Sequence, residues 1–264
     1  MRQLTFLGTG HGMPIASCSS SLLLEEGNTN ILFDCSGGHE ILCQFNKAKK
    51  DISTIKNIFI THYDSDHILG IVPLVRALTK ILHKNKEKMR IFCSSEVKNA
   101  IDSLFLYTAK KYYENAKPFL EFVILKDRMN YKLGKWQITF FDTQSNKSPE
   151  FGCKIEFGDK KSLAFPGDEP VRENYKQLIT NCDVLIHEAF CLDTDKDKFK
   201  PHEKNHGTVK EAAELATKIN AKKLVFFHME DTTLKTRKKK YLSEAKKYFK
   251  GEVFVPVDLD VYQF

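Results

Sequence analysis

The stretch Thr61-His62-Tyr63-Asp64-Ser65-Asp66-His67 places two imidazoles and two carboxylates within six consecutive positions, 62 to 67. It follows an apolar run of strand length, Ile55 to Ile60. After it, Ile68 to His83 repeats apolar residues at helical spacing (Leu69, Val72, Val75, Leu78, Ile81 and Leu82). In an extended segment residues two apart point the same way, so His62, Asp64 and Asp66 face one spot. His67 approaches that spot from another side as the chain turns into the helix. The donor types suit a divalent metal. The alternative is a solvated turn in which Asp66 serves as the helix N-cap. Burying two imidazoles and two carboxylates with nothing to bind is costly, and that favours the metal.

Outward from this loop, the chain reads as alternating strands and helices. Leu4 to Leu7 is a strand ending in the turn GTGHGMP, and Ser21 to Glu25 pairs with Asn30 to Asp34 across Glu26-Gly27-Asn28. A helix runs from Ser36-Gly37-Gly38 to about Lys49. Arg90 to Cys93 is a strand and Glu96 to about Tyr113 a helix. Strands follow at Glu121 to Leu125, Trp136 to Asp142, Gly152 to Phe157, Ser162 to Phe165 and Val184 to His187. After a polar loop come a helix from Thr208 to Ile219, a strand from Leu224 to Phe227, a basic helix from Leu234 to Phe249 and a strand near Val253. No repeat, low-complexity segment or linker interrupts this order. The expectation is one α/β domain, residues 1–264, with mixed sheets flanked by helices.

With 264 residues the chain can bury a core without disulfide or metal staples. Its 41 Lys and Arg against 34 Asp and Glu leave a net charge of +7, which favours anionic partners such as phosphate esters or nucleic acid. The longest apolar runs fall far short of the roughly 20 residues of a membrane span. The N-terminal apolar run is too short for a signal peptide. Seven scattered cysteines with no CxxC pair read as reduced thiols, so the expected compartment is the cytoplasm, with no membrane partner.

THYDSDHILG resembles the signature loop of the metallo-β-lactamase superfamily, HxHxDH. GTGHGMP followed by ILFDCSGG is similar to the opening of its ribonuclease Z-like branch. Further pieces stand in the order that family requires: Phe165-Pro166-Gly167-Asp168 for the bridging aspartate and Leu185-Ile186-His187-Glu188-Ala189 for the next strand. His206-Gly207-Thr208 before KEAAELA, and LVFFH ending at His228, complete the set. The resemblance implies an αββα sandwich of two mixed β-sheets flanked by helices, with a metal site at one edge. It implies His62, Asp64, Asp66, His67, Asp168 and His228 as ligands of one or two divalent ions. His206 is implied as the proton donor to the leaving group, with Glu188 hydrogen-bonded behind it; these two and Asp66 are the catalytic candidates. A homodimer is usual in the branch.

Two departures bear on this reading. Asp64 stands where the family has its second histidine. Between His83 and His187 there is no histidine at all, so a further expected ligand is missing. Asn146, in Asp142-Thr143-Gln144-Ser145-Asn146, is the candidate replacement. One ion would be held by Asp66, His67, Asp168 and His228, while the other lacks a strong fourth ligand. With three aspartates, two divalent cations keep one net positive charge rather than two, which lowers their Lewis acidity. More oxygen ligands favour manganese beside zinc, with iron also admissible.

Several motifs carry no function. GTGHG lacks the third glycine of a dinucleotide fingerprint, since Met13 occupies it, and reads as a turn beside the active site. Asp193, Asp195 and Asp197 are no calcium loop, because Lys198 and Lys204 fill its glycine and glutamate positions. There is no GxSxG elbow. Lys235 to Lys250 carries eight basic residues with Tyr241, Tyr248 and Phe249 interleaved. It reads as a solvated helix face with inward aromatics, or alternatively as a phosphate-backbone contact.

The function expected is that of a metal-dependent hydrolase, a phosphodiesterase whose metal-bound hydroxide attacks small phosphodiesters or cyclic nucleotides. From Gly152 to Asp168 there is room only for two strands and a tight turn, which excludes there the protruding arm typical of tRNA-processing relatives. Two alternatives remain: a ribonuclease Z-like nuclease, and a degenerate protein that binds phosphorylated ligands or nucleic acid without cutting them.

Overall fold

The alternating apolar residues of Arg2–Gly8 (β1), Ser21–Glu26 (β2) and Thr29–Phe33 (β3) build an antiparallel start, with Leu23 opposite Leu32 and Leu24 opposite Ile31. Helix α1 (Glu40–Lys47) follows, then β4 (Asn57–Phe59), α2 (Ser65–Ile68), α3 (Ile71–Asn85), β5 (Met89–Cys93), α4 (Ser95–Thr108), α5 (Lys110–Ala116) and β6 (Leu120–Ile124). From β3 to β6 every pairing is parallel, so these four strands end at the same edge of their sheet. The chain continues through β7 (Met129–Leu133), β8 (Trp136–Asp142), β9 (Phe151–Glu156), β10 (Ser162–Phe165), α6 (Glu173–Ile179), β11 (Val184–Glu188), α7 (Lys196–Phe199), α8 (Val209–Lys218), β12 (Lys223–Phe227), α9 (Leu234–Tyr248), β13 (Glu252–Phe254) and β14 (Val261–Gln263).

This computed structural model describes residues 2–264 and resolves them into two units. The first comprises residues up to 13, 17–125 and 257–264, and its sheet runs β14-β1-β2-β3-β4-β5-β6. Ile71, Leu74, Val75 and Leu78 of α3, with Val97, Ile101 and Phe105 of α4, are buried with Ile58 and Ile91 of the sheet. The second comprises residues 14–16 and 126–256, with sheet order β13-β12-β11-β10-β9-β8-β7. There Ala212, Ala213 and Ala216 of α8 and Tyr241 and Ala245 of α9 are buried with Leu185, Leu224 and Phe226. Strands β10 to β13 are parallel and again end together. The expected fold class, two mixed sheets with flanking helices, is the one found.

Local differences from the sequence reading have physical causes. The helix expected from Ile68 to His83 breaks at Gly70, whose amide bonds the Ser36 carbonyl at 3.1 Å; a Cβ there would lie 1.7 Å from the Cys35 carbonyl oxygen. The helix expected through Tyr113 breaks at Ala109, which adopts φ −153°. Strands β7 and β14 lie at sheet edges: β7 is the half-exposed first arm of a hairpin with β8 and so lacks a buried apolar run, and the three-residue β14 pairs with β1 from the far end of the chain. Helix α6 is seven residues long, too short for a periodic signal. Among the described residues all seven cysteines are free thiols, and no helix is long and apolar enough to cross a membrane.

Candidate functional site

In open α/β sheets, functional side chains gather beyond the carboxyl ends of parallel strands. In the first unit those ends carry the loop after β4 and its neighbour after β3. Asp34, following β3 at φ +56°, is buried, and its carboxylate organises the β4 loop. It accepts the Thr61 amide at 2.8 Å, the Thr61 hydroxyl at 3.0 and 3.1 Å, and His67 Nδ1 at 2.8 Å. With Nδ1–H committed to Asp34, His67 presents Nε2, 3.0 Å from Asp66 Oδ2. The rings of His62 and His67 lie 4.2 Å apart, and His62 Nδ1 is 2.9 Å from the Thr61 hydroxyl. His62, Asp66 and His67 are all buried.

Asp66 is not the N-cap of α2. That position is Asp64, and its side chain makes no capping bond. The Asp64 side chain is 47% exposed, with Oδ2 3.6 Å from His62 Nε2. It therefore stands at the rim, while Asp66 occupies the buried position. The GTGHGMP turn does flank this loop, since a Cβ on Gly12 would lie 3.6 Å from Asp66 Oδ1. The loop's other residues face an apolar groove of about 370 Å³, lined by Tyr63, Ser65 and Ile68 together with Leu104 and Tyr107 of α4. Tyr107 is 84% exposed.

In the second unit, Asp168 follows β10, Glu188 ends β11 and His228 follows β12, so three adjacent parallel strands deliver them. Ligand atoms of Asp168, His206 and His228 lie within 4.8 Å of one another, and all three residues are buried. His228 Nε2 is 3.2 Å from Asp168 Oδ2, and the rings of His206 and His228 are 4.8 Å apart. Buried imidazole and carboxylate donors at such spacing fit a divalent metal ion. His228 sits at φ +52°, a left-handed conformation that is uncommon outside glycine and recurs at functional sites.

Asp168 is held from behind. Glu150 Oε1 accepts its amide at 2.9 Å, and Thr143 Oγ1 bonds Glu150 Oε2 at 3.0 Å. Gly167, at φ +92°, makes room for that carboxylate, since a Cβ there would lie 2.0 Å from Glu150 Oε1. Beyond His228, the buried Arg237 donates to the Glu230 carbonyl at 3.0 Å, and the Glu230 carboxylate accepts from Thr232 and Thr233. This one basic residue of α9 thus turns inward rather than joining a solvated face.

His206 and Glu188 do not form the expected hydrogen bond. His206 Nδ1 is 4.0 Å from Glu188 Oε2, too far for one, and lies 2.8 Å from the Asp168 carbonyl instead. Glu188 is spent on the backbone, accepting the Gly207 amide at 2.5 Å and the Phe190 amide at 3.2 Å. It fixes the loop that carries His206, whose ring stacks on Phe190 at 5.3 Å. Burial, then the neighbouring His228, push the His206 pKa down to about 3, and burial raises that of Glu188 well above the usual carboxylate range. Neutral His206 therefore turns its Nε2 lone pair away from Asp168's carbonyl. Asn146 is exposed, with Oδ1 accepting from Arg172 at 3.1 Å, so it must leave Arg172 before it can serve as a ligand.

The sequence reading missed Asp34, Thr61, Glu150 and Gly167 as supports. Asp34 lay inside the quoted ILFDCSGG and Gly167 beside Asp168, but Glu150 had no local signal.

A family model described as the beta-lactamase superfamily domain matches residues 29–229. The ribonuclease Z of Archaeoglobus fulgidus is 25% identical over 301 aligned residues, covering 95% of this chain and 94% of that protein. A ribonuclease Z of Listeria monocytogenes is 26% identical over 311, covering 98% of each. Among solved structures, the metallo-β-lactamase fold protein YhfI from Bacillus subtilis superposes with a TM-score of 0.78 at 20% identity, over 99% of this chain and 98% of that one. The human short-form tRNase Z gives 0.77 at 22% identity, over 99% and 98%. A diphosphatase from the PhnP family gives 0.77 at 17% identity, over 100% and 98%. The two ribonuclease Z alignments run longer than the 264 residues of this chain, so those relatives carry segments it lacks.

Proposed function

Because the chain belongs to the beta-lactamase superfamily, we propose that it is a metal-dependent phosphodiesterase acting on small phosphodiesters, cyclic nucleotides among them. The observation that carries this reading is the buried pair Asp168 and His228, delivered by parallel strands, with His206 beside them. His62, Asp64, Asp66, His67, Asp168 and His228 are the proposed ligands of one or two divalent ions, with zinc and manganese as the candidates and iron a third. When bound, such an ion supplies Lewis acidity that activates water and stabilises charge on phosphoryl oxygens.

The chain's own groups do the rest. Asp34 fixes the His67 tautomer, and Glu150 with Gly167 fixes Asp168, so both ligands are oriented before anything binds. His206 is proposed to take up at its free Nε2 the proton released by the attacking water and to pass that proton to the leaving oxygen, since Nδ1 is directed at the Asp168 carbonyl. Glu188 acts as a positioning residue, because it anchors the Gly207 amide rather than touching the His206 ring.

Small esters are favoured over tRNA because β9 and β10 are joined by residues 157–161 alone, leaving no arm there. The groove of Tyr63 and Tyr107 offers an apolar wall for a base or aryl group beside the ligand loop. A second reading, cleavage of RNA, draws on the ribonuclease Z relatives. The free cysteines and the resemblance together support a cytoplasmic homodimer.

The test is metal content of protein purified without added metal, with bis-(p-nitrophenyl) phosphate turnover in zinc, in manganese and without addition. Bound metal with turnover is expected. No turnover with either ion would leave a binding protein on a hydrolase fold. For the His206 assignment, His206→Ala should keep its metal and lose far more activity on alkyl esters than on p-nitrophenyl esters, whose leaving group needs no proton. Equal losses on both would refute a proton-donor role.

A further inference from the structure

The second unit contains a groove of about 610 Å³ along one side of α9 that the proposed chemistry does not use. Lys235, Lys239, Ser243 and Lys247 follow one another at four-residue spacing and form one row along the helix; Thr236, Lys240 and Glu244 form the next row. Both rows line the groove, with Thr194 and Asp195 contributed by the segment before α7. From Lys235 to Lys247 the helix advances about 18 Å.

The lysines are the informative part. Lys154, Lys176, Lys196, Lys200, Lys210 and Lys218 of the same unit are each paired with a carboxylate. Lys235, Lys239, Lys240 and Lys247 form no ion pair among the described residues. Like charges at i and i+4, such as Lys235 and Lys239, destabilise a helix by a few tenths of a kcal/mol. The single carboxylate of α9, Glu244, interacts with Lys247 and offsets only part of that repulsion. Of the two acids in the groove, Glu244 already accepts the Asp193 amide at 2.9 Å, and burial raises its pKa. Even with both acids ionised, the four lysines leave the lining positive.

We propose that this groove binds the phosphodiester backbone of a nucleic-acid strand. Its charge is complementary to a row of phosphates, and the hydroxyls of Thr194, Thr236 and Ser243 add neutral donors for phosphate oxygens. The helix is long enough to lie along several successive phosphates of one strand. No aromatic side chain lines the groove, so the contact reads backbone and not base. An anionic membrane fits less well: the helix aromatic Tyr241 is buried, and the exposed Leu242 is one apolar side chain rather than the broad apolar face that an interfacial helix inserts. Binding in this groove does not depend on the proposed hydrolytic activity.

The test uses the whole protein and fluorescence anisotropy with labelled 20-nucleotide poly(U) and poly(dT) over a salt series. The variant Lys235→Ala/Lys239→Ala/Lys240→Ala/Lys247→Ala is compared with Lys80→Ala/Lys84→Ala/Lys86→Ala/Lys88→Ala, which removes the same charge from exposed positions of the first unit. Alanine is the better helix former, so α9 is retained, and circular dichroism verifies it. The α9 variant should bind at least tenfold more weakly. Its log K against log salt slope should be shallower by about 3, at roughly 0.7 per phosphate contact for a single strand. The control variant and bis-(p-nitrophenyl) phosphate turnover should be little changed. Equal weakening in both variants would reveal only diffuse charge and overturn the proposal. So would unaltered binding by the α9 variant, absence of binding by the parent, or loss of phosphatidylserine-vesicle binding with oligonucleotide binding intact. Loss of turnover in the parent would count against the hydrolase reading and leave this one standing.

Discussion

Replacing Gly167 with alanine tests how the proposed metal-binding cluster of the second unit is supported. Two costs arise from one methyl group. The φ of +92° penalises any side chain, at about 1–2 kcal/mol by comparison with left-handed helical conformations. The new Cβ would also stand 2.0 Å from Glu150 Oε1, the atom that accepts the Asp168 amide. Displacing that carboxylate breaks a buried, charge-assisted hydrogen bond worth about 1.5–3 kcal/mol. The expected destabilisation is therefore about 2.5–5 kcal/mol, with Asp168 displaced and metal content reduced. Gly27→Ala is the control. Its φ is +59°, but nothing lies within 4 Å of the added methyl, so only the backbone cost of about 1–2 kcal/mol applies. Urea unfolding of both variants and of the parent, with metal content and turnover measured alongside, gives the comparison. Equal destabilisation by the two alanines, with Gly167→Ala retaining parental metal and activity, would refute the argument that Glu150 and Gly167 hold Asp168. The double variant Glu150→Ala/Gly167→Ala should cost less than the sum of the singles, since it removes the clash.

Asp34→Asn keeps the size of the side chain but loses the charge that holds His67 Nδ1 and Thr61; metal titration should show affinity lower by about 10–100-fold, and an unchanged Kd would contradict the role given to Asp34. Burial lowers the His187 pKa to about 4, while its Nδ1 donates to the Glu188 carbonyl at 2.6 Å. The unfolded chain therefore takes up this proton first, near pH 6.5, and the stability contributed by neutral His187 is present above that pH and lost as the pH falls through about 4. Between pH 7 and pH 5 the loss amounts to about 2 kcal/mol, and it should disappear from the pH dependence of unfolding in His187→Leu; an identical profile would show that the ring is not the titrating group. Tyr107→Ala should raise KM for bis-(p-nitrophenyl) phosphate by about fivefold or more with a smaller effect on kcat, from loss of a stacking surface worth about 1–3 kcal/mol; an unaltered KM would separate the apolar groove from the substrate.

Local sequence is enough to show which side chains are available for chemistry and most of the scaffold that bears them. His62, Asp66 and His67 lie within six consecutive positions, and strand and turn periodicity places them beyond β4 without knowledge of the rest of the fold. The capping box of Thr208 and Glu211 at the start of α8 is likewise a local pattern, and so is the hairpin at Gly27. Tertiary structure alone decided how those side chains are held. Glu150 reaches Asp168 across 18 residues and Asp34 reaches His67 across 33. His206 was expected to lean on Glu188, yet its Nδ1 is directed at the Asp168 carbonyl, 38 residues away, because Glu188 is consumed by the amides of Phe190 and Gly207. In α9 the spacing of basic residues was visible, but which of them turn inward was not. Arg237 is buried against the Glu230 carbonyl while four lysines face a groove. Periodicity reports which face of an element a residue occupies. Hydrogen-bond partners, and the carboxylate left unspent for each cation, depend on segments that only folding brings together.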